Sequence, residues 1–168
     1  YNFPSVKSIS IFGNRNNIVS WETRKTSPNV ALFGGDEGYL QLNGFTLLVG
    51  RNINRQDVLS GRNVCILGYD VAKKLFREGV ERAVNTVIRI NNIPYRVVGV
   101  LESRGSSFGF SRDNAVISTY TNVDRNFPSG FSFVIGVMTN DLMKVSQAMG
   151  EAEGIFRGVR KLNTTEDN

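Results

Sequence analysis

The sequence feature that most constrains the fold is a pair of apolar runs around the dipeptide Asn91-Asn92. Residues 84–90 and 93–101 are rich in β-branched side chains, which are typical of β-strands. Asparagine tolerates positive φ, which a two-residue turn between antiparallel strands requires. The pattern therefore predicts a β-hairpin. Pro94 lies near the start of its second strand, where the missing N–H donor costs least.

Other short apolar runs, each ended by glycine or polar residues, predict further strands at residues 6–12, 18–23, 30–33, 45–49, 64–67, 115–120 and 131–138. Only residues 13–17 separate the first two runs, which predicts a second hairpin in which Trp21 faces the core. The segment 122–130 is predicted to be a polar connection. Strands that follow one another by hairpins, rather than alternating with helices, are typical of an α+β fold.

Three segments have the features of helices. Asp36 precedes a short one that ends at Asn43-Gly44, and Asp70 precedes another that ends at Gly79. Asp141 precedes a long segment whose apolar residues recur every three or four positions, which predicts one buried face against a sheet. These apolar residues are Leu142, Val145, Met149, Ala152, Phe156 and Val159.

Several kinds of catalytic site are excluded by the residues that the chain lacks. It contains no histidine, which excludes Ser/His/Asp and Cys/His triads and histidine-ligated metal centres. Its one cysteine, Cys65, lies in an apolar run and is predicted to be buried and inert. The segment 105–109 lacks the lysine of a phosphate-binding loop. We therefore expect no cofactor and no metal site. The longest apolar run, 133–138, is far shorter than the roughly 20 residues of a membrane-spanning helix.

The charge of the chain leaves two alternatives open. A net charge of +5 could serve a nucleic-acid-binding domain, but the basic residues are spread along the whole chain, as on an ordinary solvated surface. We therefore expect no nucleic-acid partner. The 15 acidic residues could also include the carboxylate pair of an extracytoplasmic enzyme, because such pairs come from distant segments and leave no spacing in the sequence.

Five features, taken in order, resemble the periplasmic core domain of MacB-type ABC transporter permeases. They are a Gly-Arg step at Gly50-Arg51, an apolar strand at 64–68 that ends in Leu-Gly, a helix at 71–76 that ends in Leu-Phe, a hairpin, and a strand at 93–102 that contains Val-Val-Gly-Val. No single segment is specific. Their order and their intervals, however, both match the pattern of the family.

This resemblance implies an architecture of two subdomains. A porter-like α/β subdomain would be formed by the two chain ends, residues 1–56 plus 126–168. A small β-rich subdomain, of the kind called Sabre in that family, would be inserted between them at residues 57–125. The chain begins with Tyr1 rather than Met, which suggests a fragment of a longer protein.

The resemblance also implies a function without catalysis. Such a domain is the periplasmic part of a bacterial inner-membrane permease, and it relays ATP-driven movement to a periplasmic partner or an exported substrate. Its expected partners are the transmembrane helices and the ATPase, a second subunit in a homo- or heterodimer, and a periplasmic adaptor or substrate protein. Nothing in the sequence selects the exported substrate.

The candidate partner contact is the segment 102–113, which has neither helical nor strand periodicity. It carries Phe108 and Phe110 between Arg104 and Arg112. Two aromatic side chains in a polar loop are costly to expose unless something covers them. Either they plug their own subdomain, or they form an aromatic anchor with an arginine rim for a partner.

Overall fold

The computed structural model describes residues 6–104, 106–107, 110–111, 113–127 and 133–138. Within them, the strands are β1 Val6–Asn17, β2 Val19–Trp21, β3 Arg24–Lys25, β4 Val30–Gly35, β5 Leu47–Gly50, β6 Val64–Leu67, β7 Val87–Ile90, β8 Ile93–Leu101, β9 Ser106–Ser107, β10 Phe110–Ser111, β11 Ala115–Thr119 and β12 Val134–Met138. The helices are α1 Tyr39–Leu42, α2 Arg55–Ser60, α3 Tyr69–Leu75 and α4 Tyr120–Asn126, with a 3₁₀ turn at Val80–Ala83. Short helices beside many strands confirm the predicted α+β class.

Ten of these strands form one mixed sheet. Nine of them follow the order β12-β1-β4-β11-β6-β8-β7-β2-β3, and β5 pairs with the end of β8. The pairs β4–β11 and β6–β8 are parallel, whereas the neighbouring pair β11–β6 is antiparallel. The remaining described strands, β9 and β10, form a separate two-stranded sheet. The large sheet is therefore the central element of the described structure, and the helices pack against it.

Each face of the large sheet buries a hydrophobic cluster. In β6 the alternation is direct, since Cys65 and Leu67 belong to one cluster and Ile66 belongs to the other. Helices α3 and α4 contribute to the first cluster, and α1 and α2 contribute to the second. They do so through Val71, Leu75 and Val123 on one face and through Tyr39, Leu40 and Val58 on the other.

The hairpin at Asn91-Asn92 is confirmed. These two residues join β7 to β8, and both have positive φ, 49° and 72°. Asn91 also holds the neighbouring strand, because its Oδ1 accepts a hydrogen bond from Ile18 N and its Nδ2 donates one to Asn17 Oδ1. The turn therefore fixes β2 beside β7.

The predicted hairpin between the first two apolar runs is wrong. β1 continues through the supposed loop to Asn17 and pairs with β4 and β12, whereas β2 pairs with β7 and β3. Asn17 is fully buried, and its Nδ2 donates to Val30 O at 2.9 Å and to Asn14 Oδ1. Polar residues that resemble a loop are thus satisfied inside the sheet. Trp21 does face inward, stacked on Phe76 with 4.3 Å between ring centroids.

Asp36 has a different role from the predicted helix cap. Helix α1 begins after Gly38, which provides no side-chain cap. The carboxylate of Asp36 instead accepts hydrogen bonds from Ser8 Oγ and Ile9 N, both at 2.8 Å, and from Gly38 N at 3.0 Å. Asp36 therefore ties β1 to the turn that follows β4.

Asp70 is likewise not the cap of α3. The helix begins after Gly68, which places Asp70 in the first turn, where an acidic side chain is favourable to the helix dipole. The helix ends at Leu75, with Phe76 as its C-cap, rather than at Gly79. The predicted helix is therefore confirmed in place, while its start and its end are corrected.

The sequence patterns miss α2 and α4. Helix α2 begins with a capping box, in which Asn54 Oδ1 accepts from Asp57 N and Asp57 Oδ2 accepts from Asn54 N. Helix α4 occupies the start of the predicted polar connection, and Thr119 Oγ1 caps it by accepting from Asn122 N. The prediction of a polar connection is wrong there because the segment forms a helix whose Asn122 is buried and bonded to other segments.

Two further predictions, the long helix near the end of the chain and the division into two subdomains, are not tested by the described residues. The long helix predicted after Asp141 lies outside the described residues, while β12, within the strand predicted at 131–138, pairs with β1. The boundaries that divide residues 1–56 plus 126–168 from residues 57–125 stay predictions. Strands from both parts share the large sheet, since β4 pairs with β11 and β2 pairs with β7.

Candidate partner-contact surface

The structure describes only part of the predicted contact segment 102–113. Arg104 lies among the described residues, and Phe110 is described only as part of the backbone of β10. Phe108 and Arg112 lie outside the described residues. Because β9 and β10 pair antiparallel, the described part of the segment contains a short hairpin, although the sequence of the segment has no strand periodicity.

Asp113 closes the base of this hairpin. The residue is 4% exposed, and its Oδ1 accepts a hydrogen bond from Arg104 N at 2.9 Å, while its Oδ2 accepts one from Ser103 Oγ at 2.8 Å. Its backbone carbonyl accepts from Asp70 N at 3.1 Å. The carboxylate of Asp113 therefore joins both ends of the segment, and its backbone carbonyl attaches them to the start of α3.

Arg104 connects the hairpin to the turn between α1 and β5. Its Nη1 donates to Asn43 O at 2.8 Å, and its Cζ lies 5.0 Å from the centre of the Phe45 ring. The turn itself depends on Gly44, whose φ is +69°. Arg104 is nevertheless exposed, so its guanidinium is a cation that is held in one orientation at the surface.

The contact segment and α4 lie at opposite ends of the large sheet. β6 and β11 are antiparallel, with Leu67 opposite Val116 and Cys65 opposite Ser118. Helix α2 precedes β6 and helix α4 follows β11, so both helices lie at one end of this pair. The segment 102–113 leads into β11 at the other end.

A buried polar network fixes the end at which α2 and α4 meet. Asn122 is fully buried, and its Nδ2 donates to Gly61 O at 3.0 Å and to Asn63 Oδ1 at 2.6 Å. Its Oδ1 accepts from the hydroxyl of Tyr95. Burial raises the pKa of Tyr95, which keeps this phenol protonated as a donor. The network joins α4, β8 and the segment that precedes β6, and nothing in the sequence pattern identified it.

The two buried carboxylates of the described residues do not form a catalytic pair. Asp113 lies at one end of the β6–β11 pair, and Asp57, on α2, lies at the other. Burial alone would raise the pKa of Asp57, but hydrogen bonds from Arg51 and Asn54 and the charges of Arg51 and Arg62 outweigh it and lower that pKa. Because Asp57 is a paired carboxylate, it gives no support to an enzyme with two cooperating acids.

Three other features of the described residues bear on function: the cysteine, the possible metal ligands and the length of the helices. Cys65 is fully buried, as predicted, and burial raises the pKa of its thiol. A buried neutral thiol is a poor nucleophile. The described residues contain no group of three or more cysteine, aspartate and glutamate side chains that could hold a metal ion. Among the described helices, none is long and apolar enough to cross a membrane.

Comparison with known proteins matches most of the chain to one family. Residues 1–155 match the family described as the MacB-like periplasmic core domain. A macrolide export ATP-binding/permease protein MacB from Rhodopirellula baltica is 37% identical over 102 residues, which are 60% of this chain and 14% of that protein. A pyoverdine export ATP-binding/permease protein PvdT from Pseudomonas savastanoi pv. phaseolicola is 31% identical over 117 residues, 68% of this chain and 18% of that protein. The chain thus spans less than a fifth of the length of these relatives.

Solved structures share the fold. The periplasmic region of MacB from Actinobacillus actinomycetemcomitans matches with a TM-score of 0.66 and 18% identity, over 96% of this chain and 75% of that one. The extracellular domain of the transporter YknZ from Gram-positive bacteria matches with a TM-score of 0.63 and 19% identity, over 83% of this chain and 68% of that one. This likeness shows a shared fold, and the match over residues 1–155 shows that the chain belongs to the family of MacB-like periplasmic core domains.

Proposed function

We propose that the chain is a non-catalytic extracytoplasmic domain of an ABC transporter permease, which relays ATP-driven movement to a periplasmic partner or an exported substrate. The observation that carries the proposal is the family match over residues 1–155. The relatives named above are ATP-binding/permease proteins, and this chain covers only a small part of each. The division into a porter-like subdomain, residues 1–56 plus 126–168, and an inserted subdomain, residues 57–125, is part of the proposal.

The positions of the described chain ends support a relay. Val6 lies opposite Met138, so the first and last described strands begin and end side by side. β1 runs antiparallel to β4, and β4 runs parallel to β11. Val6 and Met138 therefore lie toward the α4 end of the sheet, and the segment 102–113 lies at the other. A force applied through both chain ends would be carried along the strands toward that segment.

The proposed partners follow from this arrangement. The transmembrane helices and the ATPase would act on the end at which Val6 and Met138 lie, in a permease that works as a homo- or heterodimer. A periplasmic adaptor or substrate protein would contact the opposite end, at Arg104, Phe108, Phe110 and Arg112. The fixed guanidinium of Arg104 supports this surface, because an arginine that is already oriented loses little side-chain entropy when a partner binds.

The test separates the relay from the ATPase. In the full-length transporter, residues 105–112 are replaced by a Gly/Ser linker of equal length, which keeps Arg104 and Asp113 in place. We expect ATP hydrolysis to stay near the wild-type rate, while the variant fails to complement deletion of the gene. A matched control replaces the Asn91-Asn92 turn by Asn-Gly, which changes a loop outside the contact segment.

Two results would contradict the proposal. Complementation by the linker variant at the wild-type level would show that the segment does not contact a required partner. Alkaline phosphatase fused after residue 138 of the full-length protein should be active, because this enzyme folds only outside the cytoplasm. An inactive fusion would place the domain on the wrong side of the membrane.

A further inference from the structure

Along the edge of the large sheet that is formed by β8, β7, β2 and β3, one face carries basic side chains and, among the described residues of these strands, no acidic ones. Between β7 and β8, Val87 lies opposite Arg96. In the same pair, Arg89 lies opposite Pro94. On the other side of β7, Ser20 lies opposite Arg89, and Ser20 in turn lies opposite Lys25 of β3. Opposed residues of an antiparallel pair point to the same face. We call this set the basic face: Lys25, Val87, Arg89, Pro94 and Arg96.

The basic face is the solvent side of these strands. The residues that alternate with it are core residues, since Ile88, Ile90 and Tyr95 are at most 1% exposed. The three cations and Pro94 are exposed, and Val87 is 50% exposed. No described element of the chain covers this face, whereas the central strands are covered on both sides by helices.

The cations of the basic face have no acidic partner among the described residues. No ion pair of the described part of the chain includes Lys25, Arg89 or Arg96. The hydrogen bond of the Arg89 side chain is a long one, 3.5 Å from Nη1 to Asn92 O. The pKa of Arg24 is raised mainly by its hydrogen bond to Glu78 and to a smaller extent by the charge of Glu22, in the turn between β2 and β3. The guanidinium of Arg24 packs over Trp21, on the face opposite the basic face.

This arrangement places two like charges near each other in the isolated chain. Arg89 and Arg96 are diagonal neighbours on adjacent strands, positions that typically lie about 7–8 Å apart, so their positive charges repel each other with no acid between them. Val87 adds exposed apolar area between them. Carboxylates from another molecule would remove the repulsion, and an apolar side chain beside them would cover Val87. Arginine is the cation best suited to that role because its guanidinium binds a carboxylate with two parallel hydrogen bonds.

We propose that the basic face binds an acidic surface of a partner protein, with carboxylates on Arg89 and Arg96 and an apolar side chain against Val87. A lipid surface fits the face less well, because interfacial binding relies on bulky protruding side chains such as tryptophan, phenylalanine and leucine. Nucleic acid fits it less well too, because no aromatic side chain stands on the face to stack on bases. The inference deepens the proposed function, on which it rests for the presence of a partner, and the binding test below does not involve transport.

The experiment uses the 168-residue chain and a fluorescent peptide of alternating glutamate and leucine, with binding followed by anisotropy. The double variant Arg89→Glu, Arg96→Glu should bind roughly tenfold more weakly or worse. The matched control Lys73→Glu, Lys74→Glu reverses two exposed cations of α3 and so changes the net charge equally. It should bind within about twofold of the wild type. Val87→Asp should weaken binding as well, and thermal melting checks that each variant is folded.

Three results would overturn the proposal. No binding of the peptide by the wild type at low salt would show that the face does not accept acidic polypeptide. An equal loss in both double variants would show that only the net charge matters. Vesicles containing phosphatidylglycerol, tested in parallel by sedimentation, should not bind in a way that depends on Arg89 and Arg96. If they do and the peptide does not, the ligand is a lipid. Each of these three results would overturn the proposal for the basic face and leave the linker test of the relay unaffected.

Discussion

The hydroxyl of Tyr95 donates a hydrogen bond to Asn122 Oδ1, which connects the start of β8 to the first turn of α4. Both side chains are buried. The amide of Asn122 is also bonded to Gly61 O and Asn63 Oδ1, from the segment that precedes β6. Three elements that are remote in sequence therefore depend on one side chain at the end of the sheet opposite the candidate partner contact.

Asn122→Ala should lower the free energy of unfolding by about 2–4 kcal/mol, because it leaves several buried donors and acceptors without a partner. The cap of α4 is unaffected, since Thr119 Oγ1 accepts from the backbone of residue 122. Urea unfolding measures the change. Asp124→Ala, an exposed neighbour on the same helix, is the control and should differ from wild type by about 0.5 kcal/mol or less. Equal stabilities of the two variants would contradict the role of the network.

The same network explains why α4 was not predicted from the sequence. Asn122 and Asn126 give the segment the composition of a loop, and the partners that satisfy the buried Asn122 and the half-buried Asn126 lie about 30 to 60 positions away. The capping box of α2 is local and was present in the sequence as Asn54 and Asp57, but the helix is too short to show an apolar period. By contrast, the hairpin at Asn91-Asn92 is determined by neighbouring residues, namely two asparagines that adopt positive φ and the strands on either side of them. This local signal could be predicted from the sequence.

The two turn asparagines should respond differently to glycine, although both have positive φ. Asn92→Gly should keep or slightly raise the free energy of unfolding, because glycine adopts this conformation without strain. Asn91→Gly should lower it by about 1–2 kcal/mol, because the bonds to Ile18 N and Asn17 Oδ1 are lost. Thermal unfolding compares the two variants directly. Equal effects would show that the side chain of Asn91 contributes nothing.

Stability should depend on pH through Asp57, whose pKa is lowered in the folded chain. A carboxyl with a lowered folded pKa stabilises the fold fully above its unfolded pKa, near 3.8, and loses that contribution as the pH falls through the lower folded value. Asp57→Asn should therefore be less stable than wild type at neutral pH, with a difference that shrinks below about pH 4. Unfolding in urea at a series of pH values measures it. A difference that is constant with pH would contradict this assignment.

Glu78 provides the comparison for an exposed ion pair. Its hydrogen bonds with Arg24 lower the pKa of Glu78 to about 2, so its contribution is also lost as the pH falls from about 4.5 toward 2. The pair lies in solvent, where screening reduces the stabilisation. Glu78→Gln should therefore reduce the loss of stability between about pH 4.5 and pH 2 by less than Asp57→Asn does. The difference in free energy of unfolding between wild type and Glu78→Gln should shrink further in high salt.

The candidate contact could be only partly derived from the sequence. The unusual composition of residues 102–113 was visible as two phenylalanines between two arginines. The role of Asp113 was not, because a carboxylate that accepts from Ser103 and Arg104 has no sequence signature at a separation of nine or ten residues. The attachment of Arg104 to Asn43 spans 61 positions and could not be anticipated for the same reason.

The last prediction tests whether Phe108 and Phe110 bind a partner, as proposed, or plug their own subdomain. The hairpin base is fixed without them, by Asp113 and by the guanidinium of Arg104. β9 and β10 also form a sheet separate from the large one. If the two rings contact a partner, as proposed, the double variant Phe108→Ser, Phe110→Ser should melt within about 2 °C of the wild-type chain, because surface substitutions cost little stability. In the full-length transporter, the same variant should fail to complement deletion of the gene, because the aromatic anchor of the interface is gone.

Ser106→Ala, Ser111→Ala, in the same hairpin, is the control and should complement. A melting temperature lowered by several degrees would instead identify the two phenylalanines as a plug, and the loss of function would then follow from instability rather than from a lost contact.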